Sequence, residues 1–266
     1  MADSQSHLEI KDCTTDMNLQ ISYSVQSSDK VDAHIGGFVG TPHGVNETNS
    51  GGLDRDAYVK IHRCRNNSQT MKFTDNCSES SINIGGFIGY AEDFASDDDV
   101  ACKLYNNVNN ASIEVTKQSN CRDHVYIGGF IGNNDSDGYG SVNPCVMNCV
   151  NNGNLKAVNY KYVDMGGING CNYDNNTEFT NCVNNGTLIE NEFAISAYYG
   201  TLKECWNCKN NDSLANSVAL VTSSNCGQKS INDIVDHMNN TSIVTSDPNN
   251  FFHRWKLVDG KLDLDF

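Results

Sequence analysis

Two short motifs recur in alternation along the chain, and that recurrence constrains the fold more than any single residue. Ile35-Gly36-Gly37-Phe38-Val39-Gly40 returns as Ile84-Gly85-Gly86-Phe87-Ile88-Gly89 and as Ile127-Gly128-Gly129-Phe130-Ile131-Gly132. Met165-Gly166-Gly167-Ile168-Asn169-Gly170 is a weaker fourth copy, and Ala197-Tyr198-Tyr199-Gly200 stands where a decayed fifth is expected. Between these copies runs a second motif. Cys149-Val150-Asn151-Asn152-Gly153-Asn154-Leu155 is nearly repeated by Cys182-Val183-Asn184-Asn185-Gly186-Thr187-Leu188, and Cys208-Lys209-Asn210-Asn211 keeps the frame. Cys13 and Cys64 open two further copies; in another, Asn107 replaces the cysteine.

Each unit reads as short strands. The stretch around Cys149 or Cys182 ends at Asn-Asn-Gly, residues that tolerate left-handed backbone angles, so a turn is expected there. Alternating runs such as Ser112-Ile113-Glu114-Val115-Thr116 follow as second strands. The Gly-Gly segment makes a third, its glycines allowing a tight bend and close backbone approach. One unit cannot bury its own apolar face, whereas stacked units can. The expectation is an all-β chain: a right-handed parallel β-helix, or β-solenoid, of about six coils over residues 1–227. In it Gly36, Gly37, Gly85, Gly86, Gly128, Gly129, Gly166 and Gly167 form one structural column, and Cys13, Cys64, Cys149, Cys182 and Cys208 a buried thiol ladder. Long polar insertions, such as 41–56 and 133–143, fall between the Gly-Gly motif and the next Cys motif, and insertions of this kind cluster on one face.

Gly-Gly-Phe-Ile-Gly together with Asn-Cys-Val-Asn-Asn-Gly-Asn-Leu resembles the GLUG-type repeat over roughly residues 7–227. The resemblance implies a module of a large surface protein, as in adhesin-like proteins of bacteria and mucosal protists and non-catalytic parts of some immunoglobulin-A peptidases.

Residues 228–266 are expected to cap the stack, because a solenoid leaves an open sheet end. Ile231-Asn232-Asp233-Ile234-Val235-Asp236-His237-Met238 has helical apolar spacing, and residues 255–266 read as a hairpin turning at Asp259-Gly260.

Composition removes other classes. A formal charge of −15 and a pI near 4.7 oppose nucleic-acid binding, which needs a basic surface. Mean hydropathy is −0.49, and no apolar run approaches the ~20 residues of a spanning helix, so no membrane insertion is expected in this segment. The first residues lack a basic, apolar leader pattern. A cytoplasmic protein, or a segment whose leader lies elsewhere, both fit. Ten Asn-X-Ser/Thr sequons, Asn46 and Asn185 among them, arise readily by chance in an Asn- and Ser-rich chain.

Possible chemistry is sparse. Cys205-Trp206-Asn207-Cys208 has redox or zinc spacing, but no second pair completes a metal set. Cys77, Cys102, Cys121, Cys145, Cys171, Cys205 and Cys226 lie off the expected ladder and are disulfide candidates if the protein is exported. Asn133, Asp135 and Asp137 alternate before Gly138 like the opening of a calcium loop, though Pro144 stands at the twelfth position; a solvated acidic loop is the plainer reading. No other cofactor is expected. No zincin, nucleophile-elbow or Walker motif occurs, so a non-enzyme is expected. A polysaccharide-active β-helix, using carboxylates from Asp97, Asp98, Asp99, Asp135 and Asp137, is the enzymatic alternative.

Aromatics concentrate in later coils: Tyr139, Tyr160, Tyr162, Tyr173, Tyr198 and Tyr199. Exposed beside Asn and Asp, they suit recognition of a host protein or glycan, although packing over strands explains them equally well. Asp97, Asp98 and Asp99 with Tyr139, Tyr173, Tyr198 and Tyr199 form the candidate binding set. The expected function is adhesion or host interaction at an extracellular surface, with an intracellular structural solenoid as alternative.

Overall fold

The alternation Ile113, Val115 against Ser112, Glu114, Thr116 makes a strand with one buried and one wetted edge, and the repeats multiply that strand into a stack. The computed structural model describes residues 7–23, 31–41, 58–76, 80–92, 102–118, 124–135, 145–172, 177–189, 192–193, 196–203, 205–207, 220–224, 229–247, 249 and 251–266. Coil one holds β1 (His7–Lys11), β2 (Thr14–Thr15), β3 (Leu19–Tyr23) and β4 (Val31–Gly36), with a bridge from Val39 to Ile88. Coil two holds β5 (Tyr58–His62), β6 (Arg65–Asn66), β7 (Thr70–Asp75), β8 (Ser80–Gly85) and β9 (Ile88–Glu92). Coil three repeats this order as β10 (Cys102–Tyr105), β11 (Val108–Asn109), β12 (Ser112–Lys117), β13 (His124–Gly128) and β14 (Ile131–Asp135).

Coil four runs through β15 (Cys145–Met147), β16 (Val150–Asn151), β17 (Leu155–Val158), β18 (Tyr162–Gly166) and β19 (Asn169–Asn172). Coil five has β20 (Glu178–Thr180), β21 (Val183–Asn184), β22 (Leu188–Ile189) and β23 (Glu192–Phe193). The long β24 (Ser196–Lys203) then closes coil five and opens coil six: Ser196 pairs with Asn169, and Thr201 with Glu178. β25 (Trp206–Asn207) continues coil six, and β26 (Leu220–Ser224) lies on β24. Every one of these pairings is parallel and joins equivalent strands of neighbouring coils. The fold is a parallel β-solenoid.

Each full coil has five strands, where the sequence pattern suggested three, because the Gly-Gly motif is the corner between the fourth and fifth. The interior has two lobes. First and fifth strands enclose Ile61, Leu104, Val146 and Phe179 with a stack of Phe38, Phe87 and Phe130, whose rings lie 4.7 Å apart at each step. Third and fourth strands enclose Met71, Ile113, Leu155, Ile84, Ile127 and Met165.

The lobes meet at a waist where the second Gly of each motif faces an inward asparagine. A Cβ on Gly129 would lie 2.1 Å from the Gly167 carbonyl and 2.6 Å from Cγ of Asn151. Here glycine serves close approach, and no Gly-Gly residue has positive φ. Left-handed positions instead recur just before the cysteine column, at Asp12, Arg63, Asn106, Asn148 and Asn181 with φ of 53° to 55°; Asn159, at 65°, is a further one between the third and fourth strands of coil four. The Asn-Asn-Gly stretch turns without left-handed angles.

Register corrects two repeat assignments. Trp206 pairs with Val183, which puts Cys205 after Cys182 in the thiol column; Cys208 lies outside the described residues. Glu192-Phe193 pair with Met165-Gly166, and Ser196 with Asn169, so Phe193 stands opposite the first Gly of the fourth motif and the fifth copy does not lie at Ala197–Gly200.

The tail forms the expected elements. Helix α1 (Ile231–Asn239) starts at Ser230, whose side chain accepts from the Asp233 amide; α2 (Ser242–Thr245) follows. Strands β27 (Trp255–Val258) and β28 (Lys261–Leu264) form an antiparallel hairpin, with φ of 50° at Asp259 and 75° at Gly260, the left-handed pair a two-residue turn requires. Its location differs from the expected lid. The tail lies along the flank of the stack, where Ile234, Met238, Trp255, Leu262 and Leu264 cover the outward Val108, Val150, Val183 and Trp206 of the second strands. It reaches back to Arg65 on coil two, which bonds Asp263 and the Leu264 and Phe266 carbonyls and lies 3.8 Å from the Phe266 ring centroid. The physical reason is that the second strands bear apolar residues on their outer side as well, and that stripe needs a cover.

Candidate functional site

Three columns of asparagine run up the second-strand corner. Asn109 donates to Asn151 and Asn151 to Asn184, each at 2.8 Å, inside the waist. Asn110 donates to Asn67 at 2.8 Å, Asn152 to Asn110 at 2.9 Å and Asn185 to Asn152 at 3.0 Å. Asn148 and Asn181 donate downward in the third column, at 2.8 and 2.6 Å. An amide carries donor and acceptor on one planar head, so identical side chains one strand apart satisfy one another. Sequence reasoning took these residues for turn formers and missed the ladders; the signal was the same Asn recurring at one frame position. The sequon residue Asn185 is buried within a ladder.

The thiol column follows the same logic. Sγ of Cys149, Cys182 and Cys205 donates to the Leu104, Val146 and Phe179 carbonyls of the coil before, at 3.5, 3.2 and 3.3 Å. Asn107, in the same column, donates to the equivalent Ile61 carbonyl at 2.8 Å. Burial pushes the thiols up: Cys64 to about 11, Cys145 to about 11, Cys102 to about 12, and Cys182 well above its ordinary value. Of the disulfide candidates, Cys102, Cys145, Cys171 and Cys205 are buried thiols, while Cys77, Cys121 and Cys226 lie outside the described residues.

The predicted binding residues divide. Asn133 is buried inside β14, between Tyr90 and Cys171, and does not open a loop; Asp135 ends that strand. Asp137, Tyr139, Asp97, Asp98, Asp99 and Tyr173 lie outside the described residues. Tyr198 and Tyr199 belong to β24, opposite Asn172 and Leu220. Tyr160 is half-buried and donates to Asp75 at 3.2 Å. Tyr162 is exposed on the outer side of β18. Its ring stands 5.0 Å from His124 on β13, which stacks at 5.1 Å on Tyr126 and lies 3.5 Å from the Asp164 carboxylate; Lys161 sits over Tyr162 at 4.8 Å. This aromatic step joins coils three and four at the mouth of the fourth strands. His124 was missed, although the alternation His124-Val125-Tyr126 already places both rings on one side.

Strands flanking the insertions stay in register. Lys103 pairs with Cys145, and Asn134 with Asn172, so segments 93–101, 136–144 and 173–176 all leave fifth strands and re-enter first strands at one corner. Among the described residues, no group of three or more His, Cys, Asp or Glu could hold a metal ion, and no helix is long and apolar enough to cross a membrane. Comparison of the chain with protein-family models, with curated proteins and with solved structures gives no match.

Proposed function

We propose that the chain is a non-enzymatic recognition module of an extracellular or cell-surface protein, binding a host protein or glycan through the segments that interrupt its coils. The observation that carries this reading is the common corner: in-register strands bring insertions of different length to one edge of a stiff stack. A solenoid tolerates such variation because each coil needs only its neighbours. The exposed Tyr162–His124 step adds flat ring surface of the kind that stacks on sugars or anchors a protein partner. The resemblance of the repeats to GLUG-type surface proteins points the same way.

The test is glycan-array and host-cell binding by the whole chain, alongside polysaccharide turnover assays. Replacing 136–144 by the shorter 173–176 sequence should weaken binding while leaving the circular dichroism of the stack intact. Cleavage of a polysaccharide, lost on Asp135→Asn or Asp98→Asn, would overturn the non-enzymatic reading.

A second reading, an intracellular structural solenoid, is favoured by one observation: the eight described cysteines are thiols. Thiol titration of freshly isolated native protein separates the two. Twelve thiols, the full complement, would favour the intracellular reading.

A further inference from the structure

We propose that Cys13 and Cys64 are a redox-closable latch, oxidised by low-molecular-weight disulfides, that bonds the first coil covalently to the second. The cysteine column ends at coil one, and the end of a column is the rung solvent can reach. Cys13 is exposed, whereas Cys64 beneath it is buried. Thr14 pairs with Arg65, so the cysteines stand opposite one another on adjacent coils. Two inter-coil hydrogen bonds flank them, from the Arg65 amide to the Cys13 carbonyl at 2.9 Å and from the Asp12 amide to the His62 carbonyl at 3.3 Å. Adjacent strands lie ~4.8 Å apart, within the ~4.4–6.8 Å that a disulfide spans between Cα atoms. Sγ of Cys64 reaches the Ile10 carbonyl of coil one at 3.7 Å, while Sγ of Cys13 donates to the Lys11 carbonyl of the same strand at 3.1 Å. An accessible thiol beside a resolving thiol is the arrangement of redox-responsive pairs.

The chemistry is two exchanges. The Cys13 thiolate attacks one sulfur of the small disulfide; that S–S bond breaks, and the departing thiolate takes a proton from water. Cys64 then loses its proton to water and attacks Sγ of Cys13, forming the Cys13–Cys64 bond and expelling the second small thiolate, which is protonated. Two protein thiols are oxidised and one disulfide is reduced to two thiols. Burial holds Cys64 up at about 11, so the second step accelerates about tenfold per pH unit below that value. Cys149 and Cys182 face each other in the same way but are buried, beyond the reach of an oxidant in the folded chain. The bond would fasten a terminal coil, whose β1 and β2 pair with a neighbour on one side only.

The test treats the whole native chain with oxidised glutathione, then quenches, alkylates under denaturing conditions and maps peptides by mass spectrometry. The expected result is loss of two titratable thiols, a linked peptide containing Cys13 and Cys64, and alkylated Cys149 and Cys182. Cys64→Ser should stop at the glutathione adduct on Cys13, and Cys13→Ser, at an exposed position, should leave Cys64 reduced. The proposal is overturned if wild-type Cys13 stays reduced, keeps its glutathione adduct as the end product, or pairs with a different cysteine.

Discussion

Asn148 stands one rung above Asn106, donating from Nδ2 to the Asn106 Oδ1 at 2.8 Å, while its own Oδ1 accepts from Asn181 and from the Trp255 indole, each at 2.6 Å. Its Nδ2 also reaches the His253 carbonyl at 2.8 Å, and the Asn106 Oδ1 accepts from the His253 amide at 3.0 Å. Both asparagines have left-handed backbones. One residue type therefore makes the corner, links the coils and docks the tail.

Replacing Asn148 should separate these roles. Asn148→Gly keeps the backbone angle but strands buried partners on two coils and on Trp255, an expected cost of about 3 kcal/mol. Asn148→Ala should cost ~1 kcal/mol more, because alanine resists φ near 53°. Urea denaturation of both variants measures the difference, and equal stabilities would show that the backbone angle is unimportant.

Gly129 and Gly260 should respond in opposite measure to alanine. At Gly129 the new methyl meets the Gly167 backbone at 2.1 Å, with no flexible neighbour to yield, so a loss above about 3 kcal/mol or failure to fold is expected. At Gly260 there is open space and only the φ of 75° to oppose, worth about 1 kcal/mol. Thermal melts of the two proteins decide it.

The Lys117–Asp75 pair joins coils three and two at 2.8 Å with both side chains fully buried. Lys117→Met alone leaves a buried carboxylate and should cost about 4 kcal/mol. Adding Asp75→Leu should restore much of that loss, since an apolar pair of similar size carries no desolvation penalty. A double-mutant cycle in urea reads the coupling.

Acid should loosen the first two coils. Burial lowers the His62 pKa from 6.5, and the hydrogen bond from His62 lowers that of Glu9 from 4.5. In both cases the unfolded chain binds more protons below its own pKa, so stability present above pH 6.5 declines as pH falls, first through His62 and then through Glu9. Melting temperature should drop between pH 7.5 and pH 5, and His62→Gln should flatten that part of the curve.

Removing residues 229–266 should expose the Val108, Val150, Val183 and Trp206 stripe. Dye binding by apolar surface and concentration-dependent association are the expected readouts, with strand content by circular dichroism retained. An unchanged, non-associating stack would show that the tail is dispensable.

Much of the stack was legible from Ile113, Ile127 and their counterparts, because identical neighbours at fixed spacing can bury themselves only by stacking. The hairpin at Asp259-Gly260 was legible from its turn residues. The flank position of the tail was not: a two-residue strand has too little alternation to show which way Val108, Val150 and Val183 point, and only the inward Asn109, Asn151 and Asn184 reveal that the valines face out. Cys208 misled because Cys-X-X-Cys offers two frames, and only pairing of Trp206 with Val183 selects one. His124 escaped notice because stacking across coils joins residues remote in sequence.

The bond from Arg65 to Asp263 joins residues 198 positions apart and closes only after residue 263 has been made. During synthesis the early coils can pair as soon as they leave the ribosome, since each needs only the next. Their valine stripe, however, waits bare until residues 229–266 arrive to cover it. A nascent stack that still lacks that stretch is therefore the form that most needs a chaperone.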